Sequence, residues 1–116
     1  YGLFFSTHYA AAGAKGATKA FIDRYNQEHG YVPDDVGALT WDAMRLAQQA
    51  IEDCGTITGD LKKDRQCVRD ALTKIKEFEG ITGNMTFTEE GDPKKCAVIV
   101  RISDQGQFEF YESVCP

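Results

Sequence analysis

The sequence predicts an α/β fold of three helices, short strands and a C-terminal β-hairpin. Three stretches repeat apolar residues three and four positions apart, the spacing that gathers side chains on one side of a helix. Beyond them, Ile81–Thr88 alternates in the strand manner, and two apolar runs flank Asp104–Gln107 as the arms of a hairpin do. Four cysteines in 116 residues add a covalent constraint.

Residues 1–9 read as a short strand covered on both faces that runs into a polar turn, because Leu3, Phe4 and Phe5 form a continuous apolar run bounded by Ser6 and Thr7. Ala10–Gly16 is too rich in Gly and Ala to be anything but a loop. Ala17–His29 has helical spacing through Ala20, Phe21, Ile22 and Tyr25, and Gly30 ends it. Tyr31-Val32-Pro33 makes an extended exit, since the residue before proline avoids the α region.

Asp34 or Asp35 caps the next segment, which is either one helix or two pieces broken at Gly37. Its strongest part is Thr40–Gly55, where Trp41, Ala43, Met44, Leu46, Ala47, Ala50, Ile51 and Cys54 form a face to be covered. Asp42, Arg45, Gln48, Gln49, Glu52 and Asp53 fall between them as the polar complement. Thr40 is a candidate cap and Gly55 a candidate stop. Asp60 caps a third helix through Leu61, Cys67, Val68, Ala71, Leu72 and Ile75 to about Phe78, with Gly80 closing it.

The last two strands are Cys96–Ser103 and Gln107–Val114. A two-residue loop at Gln105-Gly106 puts Asp104 opposite Gln107 and Cys96 opposite Cys115. Facing Cα atoms lie about 4.5–5.5 Å apart, within the reach of a disulfide. The remaining pair, Cys54 and Cys67, would tie the second helix to the third. A zinc site is disfavoured because no two of the four cysteines form a close Cys-x-x-Cys pair. Disulfides imply an oxidising compartment, so the expected location is periplasmic or extracellular.

The composition, 42% hydrophobic and 27% charged, is that of an ordinary globular domain, and no run of about 18 apolar residues exists to span a bilayer. A net charge of −5 disfavours nucleic acid and anionic membranes as partners. His8 and His29 lack metal-ligand spacing, and no motif pairs a cysteine with a histidine as nucleophile and base, so neither catalytic residues, a metal nor a cofactor is expected. Asp34-Asp35 and Glu89-Glu90 read as a cap and a turn. Asn84-Met85-Thr86 fits a glycosylation acceptor, a pattern frequent by chance.

The succession Leu-Phe-Phe-Ser-Thr-His-Tyr9, Lys19-Ala-Phe-Ile-Asp-Arg-Tyr25 with Gly30 and Pro33, and Ala38-Leu-Thr-Trp-Asp-Ala-Met-Arg-Leu-Ala-Gln-Gln-Ala-Ile51 resembles the C-terminal part of periplasmic amino-acid-binding proteins of the leucine/isoleucine/valine type. The likeness continues through Val68-Arg-Asp-Ala-Leu72, Phe78-Glu-Gly-Ile-Thr-Gly83, Thr86-Phe87 and Gly91-Asp92 to the closing hairpin. Such proteins have two α/β lobes joined by three crossovers, with the ligand in the cleft between them. The resemblance implies a C-terminal fragment of a type I periplasmic-binding-protein fold, residues 1–95 belonging to the first lobe and the 96–116 hairpin crossing towards the second.

It further implies an extracytoplasmic solute-binding protein that takes a branched-chain or other small amino acid and hands it to an ABC permease. Ala38, Leu39 and Trp41 would line the cleft mouth near the ligand side chain, with His8 and Tyr9 near a crossover. Core packing is the competing reading of Leu39 and Trp41. Two other functions fit the residues: a small secreted interaction module stapled by two disulfides, and an amino-acid-sensing receptor domain of the same fold. A fragment separated from its lobes is expected to self-associate through orphan strand edges and uncovered helix faces.

Overall fold

A computed structural model describes residues 2–116; Tyr1, placed in the first strand by its sequence, lies outside the described residues. Helix ends follow local chemistry. Helix α1 (Gly16–His29) stops at Gly30, whose left-handed backbone (φ 80°) lets its N–H donate to the Asn26 carbonyl. Helix α2 (Asp35–Cys54) begins at Asp34, whose carboxylate accepts from the Gly37 amide at 2.8 Å, and it runs unbroken through Gly37. Thr40 is therefore inside the helix, its hydroxyl donating to the Val36 carbonyl at 2.7 Å.

Helix α3 (Leu61–Lys74) begins at Asp60, which accepts from the Lys62 and Lys63 amides. Asp64, one turn in, reaches back to the Thr58 amide (2.9 Å), the Thr58 hydroxyl (2.8 Å) and the Gly59 amide (2.9 Å). These donors, the Thr58 amide first, hold its carboxyl below the usual carboxylate value. A depressed folded-state value means that the stabilisation is fully present above the usual value and is lost as the pH falls through the folded one. Acid titration followed by NMR is expected to show the Thr58 and Gly59 amides moving together with Asp64, at a pH below the usual carboxylate value.

Helix α3 ends four residues short of the predicted Phe78. Ile75 turns extended, its amide bonding back to the Leu72 carbonyl, and Glu77 takes a positive φ of 50° with its amide donating to the Thr86 hydroxyl. Phe78 and Gly80 belong instead to strand β2 (Phe78–Gly80), which pairs antiparallel with β3 (Gly83–Phe87). An apolar residue every third position suits a helix extension as well as a strand start, and the β3 partner decides between them.

Among the described residues, four further strands complete two antiparallel sheets, the first of them β1 at Phe4–Thr7. With β4 (Pro93–Lys94), β5 (Ala97–Ile102) and β6 (Phe108–Val114), the orders are β1-β5-β6 and β2-β3-β4. Strand β1 pairs with β5 from Phe4 opposite Arg101 to Thr7 opposite Val98. It is not covered on both faces as its apolar run predicts: Leu3 is 65% and Phe4 53% exposed.

The hairpin departs from prediction twice. Ser103 pairs with Gln107 across a three-residue loop, with Gly106 at φ 74° supplying the left-handed residue that such loops require. The register then shifts between Ile99 and Val100, leaving Tyr111 as the extra residue of a bulge on β6. The second shift undoes the first, so Ala97 still faces Val114 and the Cys96–Cys115 disulfide closes the ribbon. The second disulfide, Cys54–Cys67, joins the end of α2 to α3.

Two apolar clusters hold the helical body together. Tyr9, Ile22, Ala38 and Ile81 pack under α1 and the start of α2; Leu46, Ile75 and Met85, with Leu72, Phe78 and Phe87, pack between α2, α3 and β3. The molecule is elongated: its radius of gyration is 16.8 Å, against about 13 Å for a compact chain of this length. Its accessible surface of 8258 Å² exceeds the roughly 6,300 Å² of a globular monomer of the same mass. Large apolar side chains are exposed, including Trp41, Met44 and Ile51 on α2, which the amphipathic pattern assigns to a covered face.

Candidate functional site

The organising residue of the site is Asp42, on α2. Its carboxylate is 1% exposed and accepts from the Ile81 amide (2.9 Å), the Thr82 amide (2.9 Å) and the Thr82 hydroxyl (2.6 Å). Ile81 and Thr82 are the two loop residues of the β2–β3 hairpin, so one helix side chain satisfies the donors of a buried turn. Gly80 leaves the room for it, since a Cβ there would stand 2.6 Å from the Asp42 Oδ2 atom. Lys95 Nζ donates to the Thr82 hydroxyl at 2.8 Å and approaches the His8 carbonyl at 3.5 Å. Burial pulls the Lys95 ammonium below its usual value, and the negative Asp42 opposes that shift.

On one side of this turn lies a groove of about 650 Å³ between α1 and α2. Phe21, Tyr25, Trp41, Met44 and Ile81 form its apolar wall, with Arg24, Glu28, His29 and Arg45 around them. The rings of Phe21 and Trp41 lie 5.3 Å apart, and Tyr25 touches Tyr31 edge-on at 5.5 Å with their hydroxyls 3.2 Å apart. On the other side is a smaller recess of about 230 Å³, between the loop after β1, the β2–β3 turn and the β5–β6 ribbon, lined in part by His8, Tyr9, Lys15, Thr18, Thr82 and Ser113. Ile81 borders both cavities.

The five residues singled out from sequence fall in three places. Trp41 lines the groove, 47% exposed, and does not pack in the core. Ala38 is fully buried beneath Tyr9 and Ile81, and Leu39 is half-buried. Tyr9 packs against Ala38 while its hydroxyl donates to the Pro33 carbonyl at 3.2 Å; burial first, and the nearby Asp34 charge second, raise its pKa above the usual phenol value. His8 is exposed at the recess.

Asp42, Thr82 and Lys95 were not picked out by sequence. A signal for Asp42 exists: it shares an every-fourth-residue row with Ala38, Leu46 and Ala50, the buried residues of α2. What the cavities can do is bind. The groove offers aromatic and aliphatic walls with a charged rim, suited to a small molecule with an apolar body and polar ends. Among the described residues, no group of three His, Cys, Asp or Glu side chains is placed to hold a metal, and no helix is long and apolar enough to cross a membrane.

Comparison with known proteins gives a consistent picture. A family described as periplasmic binding protein matches residues 1–107. The leucine-binding protein LivK of Thermotoga maritima superposes with a TM-score of 0.81 at 28% identity, over 99% of this chain and 31% of its own. The branched-chain amino acid transporter substrate-binding protein LivJ of Streptococcus pneumoniae, solved with isoleucine, does so with 0.76 at 28% identity, over 97% and 30%. A solute-binding protein of an ABC transporter from R. palustris, solved with benzoate, shares the fold with a TM-score of 0.78 at 18% identity, over 99% and 30%. The chain thus spans about a third of the length of these proteins. No curated protein matches the sequence.

Proposed function

The chain belongs to the periplasmic binding protein family, and from that premise we infer that it is part of an extracytoplasmic solute-binding protein that captures branched-chain or other small amino acids for an ABC permease. The observation that carries this reading is the superposition of nearly the whole chain on leucine- and isoleucine-binding proteins at 28% identity. Its function is binding, by closure of two lobes on the ligand, with the closed form recognised by the permease. On this reading the helical body up to residue 95 falls to the first lobe and the 96–116 hairpin runs towards the second, together with β1, which shares its sheet.

The exposed apolar surface supports the same reading, since the rest of a two-lobed fold would cover Phe4, Ile51 and Phe108. The 116 residues alone are accordingly expected to self-associate. Trp41 and the groove are the part of this chain assigned to the ligand side chain, because an indole against Phe21 makes an apolar wall and the buried Ala38 has no exposed surface to offer.

Titration calorimetry of the intact protein against leucine, isoleucine, valine and benzoate tests both statements. Binding of at least one aliphatic amino acid is expected, with affinity reduced about tenfold or more, roughly 1.4 kcal/mol, in Trp41→Ala. Heat with benzoate alone would replace the amino-acid assignment, and unchanged affinity in Trp41→Ala would remove the groove from the site.

A further inference from the structure

The element pairs in contact are mainly β5 with β6, β1 with β5, α2 with α3 and β2 with β3, and to a lesser extent β3 with β4 and α3 with β3. The β1-β5-β6 sheet therefore joins the helical body chiefly through two chain segments, 8–15 after β1 and 95–96 before β5. Lys95 stands in the second segment, and its ammonium also lies against the His8 carbonyl of the first. From Lys95 a chain of hydrogen bonds enters the body. Nζ donates to the Thr82 hydroxyl, which donates to Asp42; Asp42 holds the Ile81 amide, and the Ile81 carbonyl accepts from the Thr18 hydroxyl at 2.8 Å. Ile81 is in turn a wall of the groove that contains Trp41.

We propose that Lys95 is a pin coupling the orientation of the β1-β5-β6 sheet to the wall of the groove, through Thr82, Asp42 and Ile81. Asp42 is buried and bonded by three donors on the β2–β3 turn, so the turn and α2 move as one piece. The ammonium is the cation facing that carboxylate across the Thr82 hydroxyl. The bond to Thr82 is charge-assisted and part-buried, and breaking it takes from the Thr82 hydroxyl its cationic donor. A rotation of the sheet about segments 8–15 and 95–96 turns the backbone at Lys95 and carries the His8 carbonyl past its ammonium, and so either shifts the turn or breaks the chain of bonds. Only the functional consequence, that movement at the crossover is felt at the ligand groove, rests on the solute-binding reading; the coupling itself does not.

Lys95→Met removes the charge and keeps the apolar stem; Lys95→Arg keeps the charge. Trp41 is the single tryptophan of these 116 residues. In the intact protein carrying 5-fluorotryptophan, its fluorine resonance is assigned by its loss in Trp41→Phe. Without any ligand, Lys95→Met is expected to shift the Trp41 resonance and to speed amide exchange at Ile81 and Thr82 by about tenfold or more, while Lys95→Arg stays close to the parent. Exchange and resonance both unchanged in Lys95→Met would overturn the proposal, because stem packing alone would then explain the lysine, as would an Arg variant that behaves like Met, because the retained charge would then restore nothing. Lys95→Gln replaces the Met variant, with the same readings, if the latter does not fold. No ligand enters the measurement, so a failure here is distinct from a failure to bind amino acids.

Discussion

Replacing Asp42 with alanine is expected to lower the unfolding free energy by about 4 kcal/mol, measured by equilibrium urea denaturation. The magnitude follows from what is left behind. The Ile81 amide, the Thr82 amide and the Thr82 hydroxyl lose their acceptor at a site closed to water, and each unpaired buried donor costs about 1–3 kcal/mol. Asp42→Asn keeps one acceptor oxygen and presents an amide group to a donor, so about half that loss is expected. Thr82→Val, which removes only the hydroxyl, should cost less than Asp42→Ala. Gly80→Ala attacks the same contact from the other side, since its Cβ would displace the Asp42 carboxylate. A change of less than about 0.5 kcal/mol in Asp42→Ala, the level of an ordinary surface substitution, would contradict the role assigned to this carboxylate.

Removing the Cys96–Cys115 bridge by a double serine substitution is expected to cost about 3 kcal/mol, the loop-closure entropy restored to the unfolded chain. The sequence separation is 19 residues, against 13 for Cys54–Cys67, so the two bridges contribute comparably on entropy alone. Their local consequences differ. Cys54–Cys67 joins two helices that also share Leu46, Leu72 and Ile75 in one apolar cluster, whereas Cys96–Cys115 closes an exposed ribbon whose last residues have little packing. Hydrogen exchange in the serine double variant should therefore rise most at Ser113 and Val114, while α2 and α3 keep their protection. Uniform loss of protection across both regions would show that the bridge acts on the whole fold and not on the ribbon.

Several features were legible because they are local. The caps at Asp34 and Asp60 and the stops at Gly30 and Gly55 depend on a side chain and backbone within a few residues of each other. The register of the predicted hairpin likewise puts Cys96 against Cys115, although by a route with two compensating errors: the loop has three residues, and the bulge at Tyr111 restores the register. Strand alternation does not reveal a bulge in advance, because one inserted residue merely exchanges faces beyond it. The end of α3 was misplaced for a related reason, since Ile75 and Phe78 satisfy helical spacing until β3 offers a ladder.

The site was less legible. The sequence singles out Trp41, but the ring it meets lies on α1, and nothing within α2 indicates that an indole between Thr40 and Asp42 faces Phe21. Asp42 was assigned to the polar face because carboxylates are seldom buried without partners. Its partners lie 39 and 40 residues away, on a hairpin predicted as part of a helix end and a strand.

Sequence by itself determined the α/β class, the three helices and most of their ends, the closing hairpin, and the resemblance that led to the family. These rest on periodicity, capping and the order of motifs, all carried by neighbouring residues. Tertiary structure alone decided which face of α2 is covered, where β1 pairs, and that Asp42, Thr82 and Lys95 meet. Burial is a property of what lies opposite, and a buried carboxylate is favourable only where distant amides converge on it, so no reading of α2 in isolation could have distinguished a solvated Asp42 from the one around which the turn is built.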